Sequence, residues 1–186
     1  NILDPEMAAY AKKHLISAGI RVLTGTSAQE ILGTDQVTGV KTSAGTLPCE
    51  LLIMAAGIRP NTDFLKDTGM EMFKGTILVD STMKTSLDDV YAAGDCVMVT
   101  NRITGARQWS PMGSSANMEG RTLAQVLTGS QKTYPGVLGT GVVKLPGLNI
   151  GRTGLREEQA REAGYDVVTV LAPTDDKAHY YPDAAY

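Results

Sequence analysis

Thr85-Ser86-Leu87-Asp88-Asp89-Val90-Tyr91-Ala92-Ala93-Gly94-Asp95 is the stretch that decides how the rest of the chain is read. Val90 to Ala93 is predicted as a short apolar strand. Gly94 stands just past its carboxyl end, and without a Cβ it lets a ligand approach the backbone closely. Asp95 then presents a carboxylate in the crevice where open α/β sheets bind ligands. A carboxylate there accepts hydrogen bonds from sugar hydroxyls, charge-assisted bonds that contribute about 1.5–3 kcal/mol each. Taken alone, Gly-Asp is an ordinary turn closing a strand, so the flanking sequence has to decide between the two readings.

Towards the N-terminus, Asp4-Pro5-Glu6 reads as a helix start, with an acid at the N-cap and Pro at the first helical position. Met7, Tyr10, Ala11, Leu15 and Ile16 follow at helical spacing, and Gly19 ends the run. Arg21 to Leu23 reads as a short strand. Ala28 to Leu32, Val37 to Thr42 and Thr46 to Glu50 read as an antiparallel meander, punctuated by Gly33 to Gln36 and Ser43 to Gly45. Leu51 to Ala56 is a continuous apolar run, the pattern of a strand buried on both faces. Gly57-Ile58-Arg59-Pro60-Asn61 breaks it and is predicted as an interdomain crossing, with a short helix over Thr62 to Lys66 and a strand over Ile77 to Val79.

Beyond Asp95, residues 98 to 111 read as a loop and Ser115 to Leu127 as a helix ending at Gly129. After Tyr134-Pro135-Gly136 the style changes. Gly139 to Leu145 and Leu148 to Thr153 alternate as paired strands around Pro146-Gly147. Leu155 to Ala163 is a charged amphipathic helix with Gly164 at its end, and Val167 to Ala172 is a further strand. The fold class is therefore α/β, with an α+β piece at the C-terminal end.

Composition narrows the function. Seventeen basic residues against twenty acidic ones leave a net charge of only −3, no basis for binding nucleic acid or an anionic membrane. No apolar run approaches the roughly 20 residues that span a bilayer. Two cysteines, Cys49 and Cys96, make neither a disulfide framework nor a metal site, so a reducing, cytoplasmic setting is expected. The chain opens as mid-domain sequence, without Met or a secretory segment, which suggests a piece of a longer protein.

With its eleven-residue context, the Gly94-Asp95 stretch resembles the second flavin-binding motif of the pyridine nucleotide-disulfide oxidoreductase family. Other segments resemble that family in the right order: Leu52 to Thr62 leaving the NAD(P)H domain, Gly75 to Asp80 leading back into the flavin domain, and Ser110-Pro111-Met112-Gly113 with Ala116-Asn117 and Gly120-Arg121 as the helix beneath the flavin ring. Leu138 to Lys144, then Thr153-Gly154-Leu155 and Gln159-Ala160, resemble the start of its dimerisation domain. The resemblance implies parts of two Rossmann-like FAD- and NAD(P)-binding domains, residues 1–60 and 61–135, followed by the start of an α+β dimerisation domain, residues 136–186. It implies FAD and NAD(P)H as cofactors, with Thr85, Val90, Tyr91, Gly94, Asp95, Met112, Gly113, Ser114, Ala56 and Gly57 at their sites. The helix after Pro111 would aim its partially positive N-terminus at the anionic end of the reduced ring; otherwise it is an ordinary Pro-started surface helix.

Lys177-Ala178-His179-Tyr180-Tyr181-Pro182 resembles the branch of coenzyme A-disulfide reductases and NADH oxidases. That likeness implies a homodimer in which Tyr180 or Tyr181 reaches the partner's active site, with Asn117 on the substrate path; interface packing is the alternative for the tyrosines. The acceptor would be a small disulfide, persulfide or peroxide, or oxygen. Neither Gly-x-Gly-x-x-Gly fingerprint is present, since Gly139-Thr140-Gly141 lacks the third glycine. A truncated folding or dimerising module without cofactor, and a ferredoxin or rubredoxin reductase, remain open; the Tyr-Tyr-Pro segment counts against the latter. Cys49 is expected to be buried and inert, Cys96 a packing residue, His14 and the Lys12-Lys13 pair a solvated face, and Trp109 a packing residue.

Overall fold

The computed structural model describes residues 2–174 and 180. Helix α1, Pro5–Ser17, starts as its Pro dictates and stops at Gly19, whose φ of +83° lets the chain fold back so that the Ile20 amide reaches the Leu15 carbonyl at 3.0 Å. Asp4 occupies the N-cap position in extended backbone but makes no side-chain cap to its own helix.

Strands β1 (Ala28–Leu32), β2 (Gly39–Thr42) and β3 (Gly45–Pro48) form the expected antiparallel meander in the order β1-β2-β3. Gly39 is required in it, because a Cβ there would lie 2.8 Å from the Leu47 carbonyl oxygen. A second, mixed sheet holds β4 (Met72–Phe73), β5 (Thr76–Leu78), β6 (Val97–Thr100) and β7 (Arg107–Trp109) in chain order. Its centre is the parallel pair β5-β6, with Ile77 opposite Val97. Helix α2, Gly113–Leu127, lies next in the chain. A hairpin of β8 (Gly141–Leu145) and β9 (Leu148–Arg152) turns at Pro146-Gly147 as expected, and helix α3, Glu157–Glu162, follows. The buried core is Ile77, Val79, Met83, Val97, Val99, Tyr134 and Val137, with Ala92, Ala93, Cys96 and Leu123 packed against it. It therefore sits directly beneath the Gly94-Asp95 turn. No described helix is long and apolar enough to cross a membrane.

Five expectations are corrected. Leu51 to Ala56 forms no strand and is open, with Ile53 81% exposed, because no described element offers it a neighbouring ladder. Arg21 to Leu23 and Val167 to Ala172 are likewise unpaired, and Val168 is 89% exposed. Val90 to Ala93 is not a strand; only the bridge between Tyr91 and Lys84 pairs it, because the loop folds back on itself too tightly for a ladder. Residues 98 to 111 are not a loop, since the buried Val97-Met98-Val99 run pairs with β5 on one side and β7 on the other.

Candidate functional site

The loop before the turn is built by its own polar groups. Asp80 Oδ1 accepts the Thr82 and Lys84 amides at 2.7 and 3.0 Å, opening a hairpin that closes where the Ala92 amide meets the Met83 carbonyl at 3.0 Å. At its tip the Thr85 hydroxyl donates to the Val90 carbonyl at 2.9 Å and accepts the Leu87 amide at 3.2 Å. Thr85 thus shapes the loop and is buried, while Val90 and Tyr91 are half-buried beside it.

Gly94 follows with a φ of +98°, a conformation that suits only glycine here. Three elements pin this turn. The Gly94 amide donates to Glu119 Oε2 of α2 at 2.8 Å. The Gly94 carbonyl accepts the Val97 amide of β6 at 3.1 Å. The Asp95 carbonyl accepts the indole N–H of Trp109, at the end of β7, at 2.7 Å. The Asp95 side chain remains exposed, and the space a Cβ on Gly94 would enter holds no atom within 4 Å. Trp109 therefore positions Asp95 as well as packing.

Helix α2 begins without a side-chain cap at Met112, and Met112, Gly113 and Ser114 are exposed. Its first-turn amides carry partial positive charge. Behind them the hydroxyls of Ser110 and Ser115 lie 3.1 Å apart. With a rise of 1.5 Å per residue, Gly113 lies about 9 Å along the axis from Glu119. The uncapped helix start and the Gly94-Asp95 turn are thus linked through one helix, by the Glu119 bond to the Gly94 amide. Asn117 is turned away from that bond: it is exposed and stands about 200° around the helix from Glu119.

Glu119 is the site residue that the sequence reading missed. It is 1% exposed in the middle of α2. Ser115, Ala116, Glu119, Thr122, Leu123 and Val126 make the inward stripe, so an acid at an apolar-stripe position was the available signal. Burial pushes its carboxyl above the usual carboxylate range; the Gly94 amide opposes this and the Asp95 charge adds to it. The Cys96 thiol is pushed up first by burial, then by Glu119 and Asp95, and its Sγ lies 3.7 Å from the Ala93 carbonyl. Cys49 is half-buried rather than fully enclosed.

Ala56 and Gly57 lie in the exposed segment, outside the bonds that tie the turn to α2 and β7. That segment is anchored further along, where the Thr62 hydroxyl donates to the Gly75 carbonyl at 2.6 Å. Tyr180 is exposed, and Tyr181 and His179 lie outside the described residues.

The donor set fits FAD. The open space over Gly94, the exposed Asp95 carboxylate held by a pinned backbone, and the uncapped start of α2 offer close approach, a hydroxyl acceptor and partial positive charge. Comparison with known proteins gives the family. The family described as pyridine nucleotide-disulphide oxidoreductase matches residues 1–118. The NAD(P)H coenzyme A polysulfide/persulfide reductase of Pyrococcus horikoshii is 40% identical over 82% of this chain and 35% of its own length. An NADH oxidase of Methanocaldococcus jannaschii is 34% identical over 97% of this chain and 40% of its own. The solved structure of an NAD-dependent persulfide reductase from A. fulgidus superposes on 99% of this chain and 34% of its own, at 37% identity and a TM-score of 0.91. The chain therefore spans about a third of the length of the relatives it matches.

Proposed function

This chain belongs to the pyridine nucleotide-disulphide oxidoreductase family, and from that premise we propose that it supplies part of the flavin site of an NAD(P)H oxidoreductase. When bound, FAD supplies a two-electron acceptor for the hydride of NAD(P)H and a route onward to a cysteine-linked disulfide, persulfide or peroxide, or to oxygen. The observation that carries the reading is the pinned Gly94-Asp95 turn with open space above it. Asp95 would accept hydrogen bonds from the ribityl hydroxyls of bound FAD, and the partially positive first-turn amides of α2 at Met112, Gly113 and Ser114 would favour its reduced, negative form. Thr85, Val90 and Tyr91 support the turn from behind. Ala56 and Gly57 mark the passage from the nicotinamide-binding part to the flavin-binding part.

Residues 1–60 then belong to the NAD(P)H domain, 61–135 to the FAD domain and 136–186 to a dimerisation domain of a cytoplasmic homodimer. Tyr180 or Tyr181 reaches the partner's site, and Asn117 lies on the substrate path. The redox cysteine is neither Cys96, whose thiol is pushed up, nor Cys49, which stands apart in the β3 region. The persulfide reductase and NADH oxidase names among the relatives support a small sulfur species or oxygen as acceptor.

The test is purification of the full-length protein. It is expected to be yellow, to release FAD on denaturation, and to oxidise NAD(P)H when given coenzyme A disulfide, a coenzyme A persulfide or oxygen. Colourless protein with no NAD(P)H oxidation would overturn the reading.

A further inference from the structure

We propose that Glu119 is a positioning residue for the flavin, holding through the Gly94 amide the turn that aims the Asp95 carboxylate at the cofactor. The proposal rests on the flavin reading above. The Gly94-Asp95 backbone is held from three directions, and two of those holds are local to its own sheet: the Val97 amide on the Gly94 carbonyl and the Trp109 indole on the Asp95 carbonyl. The third comes from α2, through the 2.8 Å bond to Glu119 Oε2. It is the bond that couples the turn to the helix whose start faces the ring. The same amide is thereby turned inward, which leaves the Asp95 side chain as the polar group directed outward.

A carboxyl is an expensive choice for this task. Glu119 is 1% exposed, and burying an ionised group without a cation costs far more than burying an amide. The titratable groups around it are all acids: Asp95 and Cys96 from the turn, and Tyr134 from the segment after α2. Glutamine would accept the same amide bond with no charge. Glutamate adds one thing, a proton that can leave. When Glu119 ionises, a second negative charge appears beside Asp95 and beside an anionic cofactor. Cofactor binding is thereby linked to the protonation of Glu119, weakening as pH rises through its elevated titration.

The experiment uses the full-length protein and its E119Q and E119A variants. Flavin affinity is read by fluorescence from about pH 5 to about pH 9, with far-UV circular dichroism as the check on folding. E119A, which leaves the Gly94 amide without its acceptor, is expected to weaken FAD roughly tenfold or more. E119Q, which keeps the acceptor for the Gly94 amide and carries no charge, is expected to bind at least as well as the wild type, with the difference widening as pH rises through the Glu119 titration. An E119A protein with wild-type affinity overturns the positioning role, and superimposable wild-type and E119Q profiles overturn the linkage to Glu119 protonation. If E119A does not fold, E119M, which fills the same space without an acceptor for the Gly94 amide, takes its place in the comparison. A wild-type protein that binds no flavin at any pH overturns the underlying flavin reading instead, so the two failures are distinct.

Discussion

Gly94 combines a φ of +98° with empty space where a Cβ would stand. Substitution by alanine meets no steric obstacle, so any loss of stability comes from backbone strain, about 1–2 kcal/mol for an L-residue held in the left-handed region. If the space is where the cofactor approaches, Gly94→Ala loses flavin out of proportion to that strain. A G94A protein with a lower urea midpoint and wild-type flavin content would end the cradle reading. Cys96 is argued at the same scale. Its thiol is raised by burial and by two neighbouring carboxyls, so the thiolate is scarce at neutral pH. Iodoacetamide should modify it far more slowly than a free thiol, and Cys96→Ser should leave NAD(P)H oxidation unchanged within about twofold. Glu119 also fixes a sign for stability. Its folded-state titration is raised above 4.5, so the folded protein holds its proton more tightly than the unfolded chain. The resulting stabilisation is full below that value and is lost as pH rises through the folded titration. The wild type should therefore lose stability to alkali over a window in which E119Q does not, measured by denaturant unfolding at a series of pH values.

Among the elements, α1 is tied to the C-terminal region at two points. The Asp4 carboxylate accepts the Glu157 amide at the start of α3 at 2.9 Å, and the His14 ring meets the Pro146 carbonyl in the β8-β9 turn at 2.6 Å. The sequence alone suggests a solvated side chain for His14 and a cap of its own helix for Asp4; both serve contacts more than 130 residues away. Asp4→Ala is expected to cost about 1 kcal/mol and to raise the hydrogen-exchange rate of the Glu157 amide. Unchanged exchange would mean that the bond does not hold in solution. Such contacts are invisible to pattern reading, which sees neighbours in sequence. What was legible followed from local chemistry: Pro5 and Gly19 bounding α1, the glycine turns of the meander, Pro146-Gly147 in the last hairpin. Strand readings failed where pairing had to come from elsewhere. Leu51 to Ala56 carries the apolar run of a buried strand but has no partner among the described residues, whereas Met98 to Thr100, expected as loop, belongs to a strand with a partner on each side. The site was legible in Gly94 and Asp95, but Glu119 was not, because an acid within a helix reads as solvated until its stripe is plotted.

For the molecule as a whole, the distribution of apolar surface makes the last prediction. Ile53, Met54 and Ile58 are 81%, 73% and 63% exposed, and Val168, Val170 and Leu171 are 89%, 85% and 74% exposed. Two runs of this kind are more than a monomeric surface usually leaves uncovered. The first has the composition of a strand that belongs inside a sheet, so it is the place where further chain of a protein with its relatives' length would pair. The 186-residue chain by itself should then bind a hydrophobic dye and self-associate. Ile53→Lys should reduce both in the isolated chain, because a charge replaces an exposed apolar group. In the full-length protein the same substitution would bury a lysine, losing about 1.5–3 kcal/mol of apolar burial and adding the cost of an unpaired charge. The two effects have opposite signs, so one variant in two contexts distinguishes a covered strand from an open surface. If Ile53→Lys leaves the full-length protein as stable as the wild type, Leu51 to Ala56 is exposed there too.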